Sequence, residues 1–332
     1  MTNPRSLKQK DTYYIWVGIF FLIVIGGAVS LYYAALQIDY VWRWHSIPQY
    51  FVYEEQVEIT SETYGDIESI ELKDEQAVIR VKAENETKTY TVFAQTLTVD
   101  EGDMVSEGDI LATYKEWRVG ILMEGMWLTL KVSFIAIIFG ILIGLFGGIA
   151  RISSNPALKW TSITYIELIR GSPLLVQILI WYFVLGRLID DLLGKFDISP
   201  ISSLWYGVAA LAFFTGAYVA EMVRAGIQSI HQGQTEASRS LGMTYVQSML
   251  HIILPQAMRR ILPPLAGQFI SLIKDSSLLG VIAIRELTKA TREIVTTSLQ
   301  AFELYLICAI LYLILTFTLS MFVQYLERRT AV

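Results

Sequence analysis

The stretch Gly233 to Pro255, GQTEASRSLGMTYVQSMLHIILP, decides the reading of this 332-residue chain. It is polar at its start, carries Gly242 near its middle and closes on Ile252, Leu254 and Pro255. Apolar runs flank it: Leu204 to Ala220 before it, and a run from about Ile261 to Ile284, broken by Pro263 and Pro264, after it. A polar amphipathic segment between such runs belongs at a membrane surface. Within it, Glu236 is expected to be exposed on a short helix. Gly242 lets the chain turn sharply, and Pro255 ends the surface segment before the next span.

Composition supports a membrane. The chain is 54% hydrophobic, with a mean hydropathy of +0.47. The apolar residues are clustered. Tyr13 to Leu36, Val132 to Ala150 and Leu304 to Leu326 hold no charge, and a bilayer core needs ~20 such residues on a helix. Gly171 to Gly186 and Leu204 to Ala220 reach span length if flanking polar residues face the bundle interior. With the proline-broken run, six spans are expected. Tyr13 to Leu36 is too long for a signal core, and no small-x-small site follows it. The single Cys308 falls in the last span, so no internal disulfide can form.

Charge divides sharply. Asp39 to Arg118 carries 18 acidic and 7 basic residues, a net of −11 in a chain of net −5, so the remainder carries +6. Arg5, Lys8, Lys10, Arg151, Lys159, Arg239, Arg259, Arg260, Arg328 and Arg329 contribute to that remainder. Basic loops stay in the cytoplasm. Six spans then place both termini and the Gly233 to Pro255 segment inside, and the acidic insert outside. Arg285, Lys289 and Arg292 run against this rule.

Three parts follow: residues 1–37, a cytoplasmic tail and anchor helix; 38–118, an extracytoplasmic β-rich domain; and 119–329, a five-span core with its surface loop at 229–255. In the insert, Ala77 to Ala83 alternates, with Ile79 and Val81 on one face and Arg80 and Lys82 on the other. Tyr90 to Phe93 and Thr96 to Val99 are further β-rich runs. LTVDEGDMVSEGDILA repeats an acidic glycine turn at Gly102 and Gly108. It is similar to the barrel-sandwich hairpin of lipoyl and biotinyl domains. No lysine stands at a hairpin tip, so covalent cofactor attachment is rejected, and the EF-hand spacing for calcium is absent.

The loop resembles the Glu-Ala-Ala (EAA) loop of ABC importer permeases. Gly233, Gln234, Glu236, Ala237, Gly242, Leu254 and Pro255 fit it, with Ser238 for the second alanine. Three further stretches resemble the permease subunits of polar amino-acid ABC importers, the histidine and glutamine type. They are Tyr165 to Gln177 (YIELIRGSPLLVQ), Ala217 to Ile227 (AYVAEMVRAGI) and Gln268 to Leu278 (QFISLIKDSSL). Ser172 replaces the usual Thr, and Gly267 stands where Asn is frequent. The resemblance implies a mainly α-helical polytopic bundle forming a translocation path in the bacterial cytoplasmic membrane. It also implies separate ATPase subunits that carry ATP and Mg, a second permease subunit (self or similar) and an extracytoplasmic amino-acid-binding protein. Its coupling residues would be those of the loop.

The ionisable residues carry their own reading. Glu167 and Arg170, and Glu221 and Arg224 with Tyr218 a turn earlier, have the spacing of ion pairs on one helix face. Glu167, Arg170 and Pro173 are therefore structural or path-lining. Lys274 and Asp275 are adjacent and cannot face each other. At a depth of ~13 residues beyond Ile261, at 1.5 Å each, such charges face a pathway or pair with a neighbouring span. Tyr218, Glu221, Arg224, Gln268, Lys274 and Asp275 are the candidate substrate path, since an amino acid needs one group of each sign. His45, His231 and His251 are scattered, the last two as surface residues flanking the loop. No P-loop and no His-Glu-x-x-His occurs, so no ATP site or protease zinc site, no cofactor and no nucleic-acid partner is expected in this chain. The rival reading is a membrane-anchored receptor or adaptor acting through its outside domain. A second rival is an importer of another small solute, such as a sulfur compound or an opine.

Overall fold

The computed structural model describes residues 4–73, 76–83 and 86–330. The side chains of the basic ends, Arg5, Lys8, Lys10, Arg328 and Arg329, lie outside that description. The chain divides into two units, Met1–His45 and Ser46–Val332.

The first unit is one long helix, α1 (Pro4–Gln37), followed by a short aromatic tail. Its apolar part, Tyr13–Gln37, is long enough to cross a membrane. In the tail, Trp42 and Trp44 stack with ring centroids 5.6 Å apart.

The second unit opens with strands β1 (Val52–Thr60), β2 (Gly65–Lys73), β3 (Gln76–Lys82), β4 (Thr87–Phe93), β5 (Met104–Val105) and β6 (Ile110–Val119). β1 and β6 form an antiparallel ribbon, and the others a sheet in the order β4-β3-β2-β5. Alternation decides what is inside. In β3, Ala77, Ile79 and Val81 are buried, and they meet Ile67, Val92, Leu111 and Ala112. Thr96 to Val99 departs from expectation. It holds the end of a 3₁₀ turn and a single bridge from Leu97 to Ala112, because the chain must cross there from sheet to ribbon.

The helices are α2 (Ile121–Arg151), α3 (Pro156–Arg170), α4 (Leu174–Leu179), α5 (Arg187–Gly194), α6 (Ser203–Gln228), α7 (Gln232–Ser240), α8 (Tyr245–Ser248), α9 (Leu254–Asp275), α10 (Leu287–Ser298) and α11 (Ala301–Thr330). α2 and α6 pack along their lengths. Gly140, Gly144 and Gly148 of α2 lie against Thr215, Val219 and Val223 of α6. Small residues four apart let two backbones approach closely without a driving force from water. Val132, Ala136, Leu211, Leu272 and Leu279 build one apolar cluster around this pair.

Among the described residues, five helices are long and apolar enough to cross a membrane, or up to six if a bent pair counts as one. That pair, Pro156–Arg170 and Leu174–Gly194, turns through 107°. The run Gly171 to Gly186 thus begins at a bend rather than inside a straight span. Pro173 has no N–H to continue α3, and it starts α4 as its N-cap. Pro263 and Pro264, expected as breakers, lie inside α9. They and the residues four before them, Arg259 and Arg260, are on the exposed side, and the helix continues through both prolines. Pro255 likewise ends nothing. It stands in the first turn of α9 directly after a π-helical turn, Met249–Ile253, and the candidate span runs unbroken from Tyr245 to Ile282.

Candidate functional site

The surface loop is built by local capping. The His231 ring Nδ1 accepts from the Gly233 N–H at 3.1 Å and starts α7. Thr244 and Gln247 form a capping box that starts α8. Between them Gly242 takes φ +83°, a left-handed value that favours glycine. Ser238, the departure from the loop pattern, is buried. Its hydroxyl donates to the Thr235 carbonyl at 2.8 Å and is hydrogen-bonded to that of Ser248. A hydroxyl at this position therefore ties α7 to α8, which alanine could not do. Glu236 and Ala237 are exposed, and Leu241 is 84% exposed. Tyr245, Val246 and Leu250 add to an uncovered apolar surface around the turn. Gln234 accepts from Gln256 Nε2 at 3.3 Å. Leu254 lies half-buried and Pro255 exposed behind the loop.

The second group is a charge cluster where α2, α3 and α6 meet. Glu167 does not pair with Arg170. It lies 3.2 Å from Arg151 at the end of α2. Arg151 Nη1 is also 3.0 Å from Glu221 Oε2, as an ion pair without hydrogen-bond alignment, since that nitrogen has no bonded acceptor. Glu221 and Arg224 do pair, through Arg224 Nε at 3.0 Å and a second contact from Nη2. Arg224 also reaches Gln228. Arg170 instead places its guanidinium 5.4 Å from the centre of the Tyr218 ring, a cation–π distance. The i,i+3 spacing correctly joined Glu221 to Arg224. It failed for Glu167 because Arg151 lies closer across the α2–α3 corner, a tertiary contact that no spacing encodes.

The bend after α3 has its own clasp. Gln177 is buried, and its Nε2 donates to the carbonyls of Ile169 (2.7 Å) and Ser172 (3.1 Å) and to the Ser172 hydroxyl (2.8 Å). The run from Ser172 through Pro173 to Gln177 is thus one turn held by one amide.

Lys274 and Asp275 close α9, seven residues before the end of the candidate span. Lys274 is exposed and Asp275 half-buried. Among the described residues no side-chain hydrogen bond or ion pair holds either of them, and none holds Gln268. The pairing with a neighbouring span, open in the sequence, is not made among the described residues. The exceptions to the charge rule are partly offset: Arg285 and Lys289 pair with Glu293 at 2.8 and 3.4 Å.

Comparison with known proteins places the helical part of the chain in a family. The family described as binding-protein-dependent transport system inner membrane component matches residues 136–332. The probable glutamine ABC transporter permease protein GlnM of Bacillus subtilis (strain 168) is 40% identical over 210 residues, covering 62% of this chain and 92% of that protein. The glutamine transport system permease protein GlnP of Escherichia coli (strain K12) is 38% identical over 211 residues, covering 64% and 93%. A solved amino acid ABC transporter with histidines superposes with a TM-score of 0.56 at 41% identity, covering 63% of this chain and 94% of that one. The chain therefore belongs to the family of binding-protein-dependent transport system inner membrane components.

Proposed function

We propose that this chain is the transmembrane permease subunit of an ATP-driven importer of polar amino acids. The observation that carries the proposal is the 41% identity to the solved amino acid ABC transporter over 94% of that chain. The glutamine permeases at 38–40% identity make glutamine the first ligand to test. The chain performs no covalent chemistry of its own. ATP and Mg belong to separate ATPase subunits, a second permease subunit completes the path, and an extracytoplasmic binding protein delivers the ligand.

The working parts follow from their chemistry. The exposed Glu236 and the apolar surface around Gly242 suit seating in an ATPase cleft, so closure of the ATPases pulls on α7 and α8. Lys274 and Asp275, with no hydrogen bond or ion pair among the described residues, offer one charge of each sign to a zwitterion entering a low-dielectric passage. An unmet charge there would carry a large desolvation cost. Gln268 lies two turns earlier on the same helix. The chain crosses the membrane six times, with both termini in the cytoplasm and residues 38–118 outside. The receptor or adaptor reading would make the helical core a scaffold, and unpaired Lys274 and Asp275 fit a scaffold poorly.

The test is reconstitution of the chain with its co-purifying ATPase and a soluble binding protein in vesicles. ATP-dependent accumulation of labelled glutamine or another polar amino acid is expected. An intact complex that hydrolyses ATP yet moves none of the twenty amino acids would refute the ligand class. Failure of any ATPase to co-purify would refute the importer reading.

A further inference from the structure

We infer that the β insert is a lever on α10, so that whatever moves or restrains the insert sets the position of that helix. Three observations meet here. First, the insert is rooted in an apolar cluster with the helices. Ile47, Tyr50 and Phe51 pack in one apolar cluster with Leu122 of α2, Leu287 and Ile294 of α10, and Leu304 and Leu311 of α11. Ser46 adds a 2.8 Å hydrogen bond to Gln300, just beyond α10. The Gly120 N–H donates to the Phe51 carbonyl at 2.7 Å, and a side chain at Gly120 would overlap the Tyr50 backbone. The two ends of the insert are thus clamped to each other and to the cluster.

Second, α10 is a capped unit with sharp turns at both ends. It is bounded by Ala283 at φ +61° and Leu299 at φ +59°. Both are side-chain-bearing residues in the left-handed region, and such strain persists only where the surrounding structure enforces it. Glu286, with no exposed surface, caps α10 through the N–H groups of Thr288 (2.8 Å) and Lys289 (2.7 Å). Tyr312 of α11 donates to the same carboxylate at 2.9 Å. The helix is internally locked, and it meets α2 and α11 through the same apolar cluster that holds the root of the insert.

Third, the ribbon is continuous from the root. Val52 pairs with Val119, and the register holds to Ile59 opposite Ala112. Leu111 and Ala112 then enter the core of the sheet. A displacement of the sheet therefore reaches Phe51 and Gly120 through paired strands rather than through a loose linker. The family model matches residues 136–332, so the insert lies outside the matched core.

The inference rests on the importer reading only for its direction, with the insert outside the membrane. Its test does not need the ATPase. Amide exchange is measured on the full chain in lipid nanodiscs. In one variant residues 53–118 are replaced by a short Gly-Ser linker between the paired Val52 and Val119. The second variant is Ile47→Ser, with the insert intact. Exchange in Leu287–Ser298 should quicken at least tenfold in both, while Ser203–Gln228 stays unchanged. Coupling is reciprocal, so Leu287→Ala should quicken exchange in Val52–Thr60 by a similar factor. Unaltered exchange of α10 in Ile47→Ser, or an unresponsive ribbon in Leu287→Ala, overturns the lever. If the excised chain does not fold, these two point variants decide alone. In reconstituted vesicles Ile47→Ser should also lower uptake several-fold at unchanged basal ATP hydrolysis. Absence of ATP-driven uptake by the unaltered complex would count against the importer reading, and the exchange data would still decide the lever.

Discussion

Two adjacent glycines of α2 should respond in opposite ways to the same substitution. A Cβ at Gly148 would lie 2.6 Å from Val223 Cβ and 2.7 Å from the Ala220 carbonyl oxygen. Ordinary carbon contacts fall near ~3.5–4.0 Å, so α2 and α6 must part by about 1 Å to admit it. Overpacking of this kind costs about 1–3 kcal/mol. A Cβ at Gly147 meets Ala220 Cβ at 3.2 Å, which a small local shift accommodates. Both positions are in the interior of one helix, so the gain in helix propensity on Gly→Ala, about 1 kcal/mol, is common to both. Their difference isolates packing. Gly148→Ala should be less stable than Gly147→Ala by about 1–3 kcal/mol, with Gly147→Ala neutral or slightly stabilising. Folded fraction against SDS in mixed micelles measures this through tryptophan fluorescence. Equal midpoints for the two variants would refute the close α2–α6 approach as the basis of core stability.

Other outcomes follow from the loop, the topology and the buried carboxyl. Glu236→Lys and Gly242→Pro should each uncouple ATP hydrolysis from uptake, cutting uptake at least tenfold, while the chain still inserts and folds; normal uptake by both would remove the loop from coupling. A cysteine at Ser106 should react with an impermeant thiol reagent from outside, and one at Ser240 only after permeabilisation; the reverse pattern would overturn the six-span orientation. Burial holds the Glu286 carboxyl above the usual glutamate value of 4.5, against the lowering pull of the Thr288 and Lys289 N–H groups. The folded chain therefore binds this proton more tightly than the unfolded chain. That stabilisation is fully present below 4.5 and is lost as the pH rises through the folded value. Relative to Glu286→Gln, which cannot titrate, the unaltered protein should lose thermal stability as the pH rises through that window; parallel midpoints at all pH values would contradict it.

What the sequence disclosed depended on range. Charge-free runs and the period-2 burial of Ala77, Ile79 and Val81 are local signals, and they located helices and strands. The approach of α2 and α6 was legible in principle as Gly140, Gly144 and Gly148 at a spacing of four, but each lies inside an apolar run that already reads as a span. Prolines misled where exposure mattered. Pro263 and Pro264 lie inside a continuous α9 on its exposed side, and no sequence rule carries that orientation. Arg151 was legible only as one more positive charge. Its two carboxylate partners come from residues 16 and 70 positions away, Glu167 and Glu221.

That cluster changes which charges suit ligand binding. Glu221 is already met by Arg224 and Arg151, and Arg224 by Glu221 and Gln228. A ligand carboxylate would have to break an existing pair to reach Arg224. The exchange offers little net gain, because the displaced Glu221 would lose a partner in a half-buried site. Lys274 and Asp275 face no such competition. Asp275→Asn should therefore lower uptake at least tenfold while the amount of assembled complex is unchanged. Arg224→Gln should act the other way round, leaving Glu221 with Arg151 alone and reducing folded complex in step with uptake. Its expected cost is about 1 kcal/mol, toward the low end for an ion pair because Arg224 and Glu221 remain about a quarter exposed. Measuring complex yield and uptake together in vesicles separates the two roles. Loss of complex in Asp275→Asn, or full assembly with lost uptake in Arg224→Gln, would reverse the assignment and move the ligand to the inner cluster.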